Sequence, residues 1–241
     1  MSNWGNIAIA VRCGIAADPI FLQSWTRQLL KGIRPGDRIL SPVIELPQHF
    51  AAEAIATTFL KGPADTVLYI DDDMVFEPED LEHLRDDPEG ADYDALMGLC
   101  LSRNSPHRPV IMEAFGEQYK VRAHPPEDTI VDVAIVGLAF TLIRRSVFER
   151  VNKIKPKDEL FFRWNYCGDS EDASFSQLAI KAGCKLGVNT RVIIGHRIKA
   201  VVKWDFKQKG VAYEEVMRRY DQVLKEKNNG RIRNTPANTQ E

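Results

Sequence analysis

Cysteine is scarce in this 241-residue chain, which has four. Cys13, Cys100, Cys167 and Cys184 stand far apart, with no C-x-x-C pair of the kind that structural zinc or a redox dithiol uses, so they read as buried free thiols. Long apolar runs are missing too. No stretch approaches the roughly 20 apolar residues of a membrane span, and MSNWGNIAIAVRCG has no basic region ahead of its short apolar run. The expectation is a soluble, cytoplasmic protein without a transmembrane segment. Charge of one sign is not in excess, since 32 Lys and Arg stand against 34 Asp and Glu. Bulk charge therefore gives no reason to expect nucleic-acid or anionic-membrane binding. What is present is a 44% hydrophobic composition, sufficient for one domain with a packed core.

Residues 6–13 read as a buried strand. Asp18-Pro19 then supplies an N-cap and a first-turn proline for a helix that places Phe21, Leu22, Trp25 and Leu29 on one face and stops at Gly32. A strand over 38–46 leads to a helix over 48–60, ended by Gly62-Pro63, and a third strand covers 66–71. Strands alternating with helices of this length imply a parallel sheet covered on both faces. Pro78 opens a short helix, 95–101 is a further strand, and the polar segment 102–109 is a loop with room for function.

A β-rich run over 129–143 is broken by Gly137, and Ser146 with Glu149 has the spacing of a capping box after a surface pair, Arg144-Arg145. Ser170 caps a helix with Phe175, Leu178, Ala179 and Ala182 on one face ahead of Gly183, and a strand over 185–194 ends at Gly195-His196. The expected organisation is a main domain over 1–200, a helical extension over 201–227 packed on it, with an amphipathic helix near 213–224, and a disordered tail over 228–241.

Three stretches carry candidate chemistry. In LYIDDDMVFEPEDL, residues 68–81, three carboxylates end an apolar strand. If the extended backbone persists, Asp71 and Asp73 share a face and Asp72 points the other way. Such a pair suits Mg²⁺ or Mn²⁺, and the alternative is a solvated turn. Glu171 and Asp172 occupy the first turn of a helix. There they either stabilise the helix through its dipole, typically by about 0.3–1 kcal/mol, or offer a general base. His196 follows a strand and a glycine, as a structural side chain or as a third metal ligand. Phe161, Phe162, Trp164 and Tyr166 are core residues or a stacking platform for a sugar.

The ordered set FLKGPADTVLYIDDDMVFEPEDL, VDVAIVGLAFTLIRRSVFERV and GDSEDASFSQLAIKAGCKLGVNTRVIIGH, after an opening strand, resembles glycosyltransferases of the GT-A fold, especially the broad family 2 type. The resemblance spans most of residues 6–196. It implies an α/β, Rossmann-like single domain with a mostly parallel central sheet flanked by helices. It also implies a metal-dependent enzyme that moves one sugar from a nucleotide-sugar donor to an acceptor hydroxyl on a glycan, lipid, small molecule or protein. By that resemblance Mn²⁺ or Mg²⁺ is bound by Asp71, Asp73 and His196, and the donor by Asp71, Asp72, Asp73 and Arg12. Asp172 with Glu171 is the catalytic pair, and Trp164 and Tyr166 shape the acceptor pocket. The chain departs from the pattern at Ala52-Glu53, where many relatives carry Arg-Asn. Two readings compete: a nucleotidyltransferase with a similar acidic metal site, and a carbohydrate-binding relative without turnover.

Overall fold

The structure, a computed structural model, describes residues 4–14, 17–102, 107–115, 118–164 and 170–197. The expected helix near 213–224 and the tail lie outside the described residues.

The chain opens with β1 (Ile7–Cys13), α1 (Pro19–Lys31), β2 (Arg38–Ile39), β3 (Val43–Ile44), α2 (Gln48–Lys61) and β4 (Thr66–Asp71). It continues through β5 (Met74–Val75), α3 (Pro78–Asp86), a 3-10 turn (Pro88–Asp92), β6 (Ala95–Leu99), β7 (Met112–Phe115) and β8 (Gln118–Val121). Then come β9 (Ile130–Asp132), β10 (Phe140–Arg144), α4 (Arg145–Ile154), α5 (Glu171–Lys181), β11 (Leu186–Ile193) and β12 (Gly195–His196).

The main sheet has the order β2-β1-β4-β10-β6-β11-β9, and β3 also pairs with β1. Strands β2, β3 and β4 run parallel to β1, and β11 runs parallel to β6. Strand β10 is antiparallel to both β4 and β6, and β9 is antiparallel to β11. The result is the expected mixed α/β architecture with a mostly parallel sheet. β1 and β4 are apolar on both faces because both faces are covered, and every residue from Ile7 to Val11 and from Thr66 to Ile70 is buried.

Connectivity fixes where a ligand can enter. The first crossover steps outward from β1 to β2, and the next steps back across β1 to β4. Right-handed connections in opposite directions put α1 and α2 on opposite faces of the sheet. A crevice therefore opens beyond the carboxyl ends of β1 and β4, the usual ligand position in such sheets.

Several expectations change. The strand expected over 38–46 is two two-residue pairings with the upper and lower parts of β1, because Leu40 already bonds the Ile9 carbonyl and the chain then bends. Leu22 is exposed, unlike Phe21 on the same helix. Helix α4 starts at Arg145, so Ser146 lies inside its first turn and no side-chain cap forms at the N-cap, Arg144. The reason is that Arg145 is not a surface residue. Its guanidinium donates to the carbonyls of Phe59, Leu60, Gly62 and Ala64, tying the end of α2 to the start of α4. Arg144 likewise donates to Tyr93 and Ala91. A capping box does form at α3, between Glu77 and Asp80. Ser170 caps α5 as expected, accepting from the Ala173 N–H, a contact typically worth about 1 kcal/mol. Gly183 follows that helix at φ +76°, a conformation that β-carbon residues seldom adopt.

Candidate active site

Strand β4 ends at Asp71, and the chain turns through Asp72 and Asp73 before Met74, which is fully buried, re-enters the fold in β5. The extended backbone does not persist through the triplet, so the strand alternation that would put Asp71 and Asp73 on one face is broken after Asp71. The turn sends the three carboxylates to three partners.

Asp71 meets Arg12, its register partner on β1: Nε donates to Oδ1 at 2.8 Å and Nη2 to Oδ2 at 3.1 Å. Asp72 accepts from the Gly14 backbone N–H at 2.8 Å. Burial and the same carboxylate push the neighbouring Cys13 thiol up to about 11, which keeps it a neutral donor. Asp73 Oδ2 lies 3.4 Å from His196 Nε2. Asp71, Asp72 and Arg12 line a cavity of about 190 Å³, closed by Cys13, Gly14, Leu46, Gln48 and Ala51. Asp72 therefore borders the crevice instead of facing away from it.

His196 reaches Asp73 through a small ribbon, β12 antiparallel to β5, with His196 opposite Met74. Gly195 makes the ribbon close. A Cβ there would stand 3.2 Å from Val75 Cβ and 3.3 Å from the Val75 carbonyl. His196 Nδ1 lies 2.8 Å from the Leu101 carbonyl, which only accepts, so Nδ1 carries a hydrogen and Nε2 is turned to the carboxylate. Orienting a ligand imidazole through its other nitrogen is a common arrangement in metal sites. Among the described residues no three His, Cys, Asp or Glu side chains converge as a metal cluster. The donor set is one carboxylate and one imidazole. It fits a hard divalent cation that completes its shell with substrate oxygens and water.

The third grouping lies at the start of α5. Arg12 is 6% exposed, and its Nη1 donates to Glu171 Oε1 at 3.0 Å. Burial alone would make the guanidinium easier to deprotonate, but Asp71, Asp172 and Glu171 outweigh this and hold it above its ordinary value. Asp172 keeps some solvent exposure as a residue, while its Oδ1 is shielded and has no hydrogen-bond partner. Its carboxyl is raised to about 7, chiefly by burial, with Glu171 and Asp71 adding to the effect and Arg12 opposing it. A group poised near neutrality can accept a proton in a reaction. Gly137 leaves space beside it, since a Cβ there would be 3.7 Å from Asp172 Oδ2.

The aromatic run divides. Phe161 and Phe162 are core residues packed against Phe148, and Phe162 stacks on Phe175 at 4.5 Å between centroids. Trp164 is 51% exposed, and Tyr166 lies outside the described residues. At the departure from the family pattern, Glu53 accepts from the Phe161 and Phe162 backbone N–H groups at 2.8 and 3.2 Å, and the Ala52 carbonyl accepts from Tyr69 Oη at 3.0 Å. The pair thus serves the scaffold. Sequence reasoning did not find the Leu101 carbonyl or the Gly14 N–H as site groups, because backbone donors and acceptors leave no side-chain signature. A larger cavity of about 690 Å³, lined by Glu82, His83, Asp86, Asp87, Pro88, Glu89 and Arg191, contains none of the candidate site residues.

No protein-family profile matches the chain, and no curated protein matches it in sequence. Among solved structures it superposes on the crystal structure of A197 from STIV with a TM-score of 0.51 and 14% identity, over 83% of this chain and 98% of that one. GalNAc-T7, crystallised with UDP, GalNAc and Mn²⁺, aligns with a TM-score of 0.49 and 11% identity, over 84% of this chain and 45% of that one. At the identity to A197, the likeness is one of fold.

Proposed function

We propose that the chain is a GT-A-type glycosyltransferase that uses Mn²⁺ or Mg²⁺ to move one sugar from a nucleotide-sugar donor to an acceptor hydroxyl. The observation that carries this reading is the pairing of Asp73 with His196, 3.4 Å apart, directly after Asp71 and Asp72, which line the cavity at the carboxyl ends of β1 and β4. The ordered sequence motifs support the same reading, and they lead to that one end of the sheet.

Asp73 and His196 would hold the cation, which supplies Lewis-acid stabilisation of a departing diphosphate when bound. The Gly14 N–H and Asp72 border the crevice in which a nucleotide would lie. Asp172 takes the proton of the acceptor hydroxyl. The acceptor oxygen then bonds to the anomeric carbon of the sugar, and the bond from that carbon to the diphosphate oxygen breaks, its electron pair leaving with the nucleotide. Trp164, exposed beyond the core aromatics, offers an apolar face to a sugar. The acceptor is a glycan, lipid, small molecule or protein.

Thermal-shift measurements with UDP-glucose, UDP-N-acetylglucosamine and GDP-mannose test the reading, each with and without Mn²⁺. A metal-dependent rise in Tm with at least one donor is expected, because a ligand bound only to the folded state stabilises it. Release of nucleoside diphosphate on adding a sugar acceptor then identifies transfer. Pyrophosphate release from nucleoside triphosphates, with no response to any sugar donor, would replace this reading with nucleotidyl transfer.

A further inference from the structure

Buried guanidinium groups that join three distant chain segments are costly to desolvate and are seldom neutral additions to a fold. Arg12 is such a group. It stands at the end of β1 and reaches Asp71 on β4 with Nε and Nη2, and Glu171 at the first position of α5 with Nη1. The three contacts use the planar fork of arginine, which a lysine ammonium cannot reproduce. Glu171 is 2% exposed, and its second oxygen, Oε2, is buried without a hydrogen-bond partner. Its hold on the fold through side-chain bonds therefore runs through Arg12. Asp172 is the next residue of the same helical turn.

We infer that Arg12 is a positioning residue: through Glu171 it fastens the first turn of α5 to the ends of β1 and β4, and so sets the place and the charge environment of Asp172. For the identity of the reaction this rests on the glycosyltransferase reading above; for its geometry it rests on the ion cluster alone.

Among the described residues, the charged and titratable groups around Asp172 are Arg12 from β1, Asp71 from β4, Glu171 from its own helix and Cys100 beyond β6, a thiol that burial and the nearby carboxylates keep neutral. Three carboxylates share one guanidinium in this group. Two of them bond it directly, and Asp172 feels it across space. Removing the Glu171 charge relieves repulsion and lets Asp172 ionise more readily, whereas removing the Arg12 charge does the reverse. An ion pair that only braced the fold would alter stability and leave kcat unchanged in R12K, which keeps the charge.

The test uses the full chain and two measurements. Carboxyl ¹³C NMR of aspartates, with Asp172 assigned through D172N, follows its titration in the ligand-free protein. Steady-state hydrolysis of UDP-glucose or GDP-mannose with Mn²⁺ gives kcat and donor KM across the neutral pH range. In E171Q the Asp172 midpoint is expected to fall by about one unit, with the pH profile of kcat following it and donor KM within about twofold of the wild type. R12M is expected to move the midpoint upward. R12K retains the charge but not the fork, so its midpoint stays near that of the wild type while kcat falls about tenfold. If R12M does not fold, E171Q still decides the matter, because Arg12 keeps its pair with Asp71 there.

An unmoved midpoint in E171Q together with an unchanged kcat in R12K would overturn the inference, whatever happens to Tm. If the wild type neither binds nor hydrolyses any nucleotide sugar, the glycosyltransferase reading fails. In that case the ligand-free titration stands alone: a displaced midpoint supports the coupling of Arg12 and Glu171 to Asp172, and an undisplaced one overturns it.

Discussion

Arg12 and Asp71 are register partners on adjacent parallel strands, and their side chains close a two-point ion pair at 2.8 and 3.1 Å. The first carboxylate of the triplet is thereby directed inward, to a guanidinium that is itself buried. Asp72 and Asp73 are left to face the crevice and His196. Substitutions within the triplet should therefore separate into different phenotypes.

Asp73→Asn and His196→Ala are expected to abolish the Mn²⁺-dependent rise in Tm with a nucleotide sugar while leaving the Tm of the ligand-free protein within a few degrees of the wild type. Asp71→Asn should behave in the opposite way. It strips a buried guanidinium of its two-point partner, which costs on the order of 3 kcal/mol, and urea unfolding of the ligand-free protein measures this directly. Equal losses of ligand-free stability in all three variants would contradict the division.

Asp172 makes stability and activity respond to pH with opposite signs. Its carboxyl is raised to about 7, with burial the largest cause. A raised carboxyl binds its proton more tightly in the folded chain than in the unfolded one. Its stabilising contribution is therefore complete below the unfolded value of about 4 and is lost as pH rises toward 7. Asp172→Asn should thus gain stability relative to the wild type over that interval, measured by urea unfolding at several pH values. Transfer by the wild type should rise through the same region as the base ionises, and the variant should lose about 100-fold or more of it.

Glu53 is predicted to matter for folding and not for donor recognition. Glu53→Ala leaves the Phe161 and Phe162 N–H groups without their shared acceptor. The expected loss is about 1–3 kcal/mol of stability, with donor KM unchanged. Denaturant unfolding alongside donor titration tests both halves.

Gly195→Ala should weaken metal binding without unfolding the chain. The added Cβ would press on Val75 at 3.2 and 3.3 Å, so β12 must move away from β5 and carry His196 with it. A rise of about tenfold in the Mn²⁺ concentration needed for half-maximal donor response is expected, at near-native far-UV circular dichroism.

The apolar runs over 7–13 and 66–71, the glycine and proline stops and the Ser170 cap are local signals, and they already specify an α/β chain whose strands alternate with helices. They also single out Asp71, Asp72 and Asp73, Glu171 with Asp172, and His196, because carboxylates at a strand end, an acidic first helical turn and a glycine-histidine pair after a strand are legible one at a time. Partnership is not local. Arg12 faces Asp71 because β1 and β4 lie side by side in one register, and it reaches Glu171 across 159 positions of sequence. The turn after Asp71 ended the alternation on which the sequence argument relied, because Met74 had to return to the core and pair opposite His196. Arg145, which reads as a surface residue from its neighbours, became an internal tie only when the carbonyls at the end of α2 came within reach. Residue type and short-range pattern thus determined which groups could do chemistry. Packing of strands distant in the chain decided which of them meet, since ion pairs and hydrogen bonds depend on distances that only the folded backbone sets.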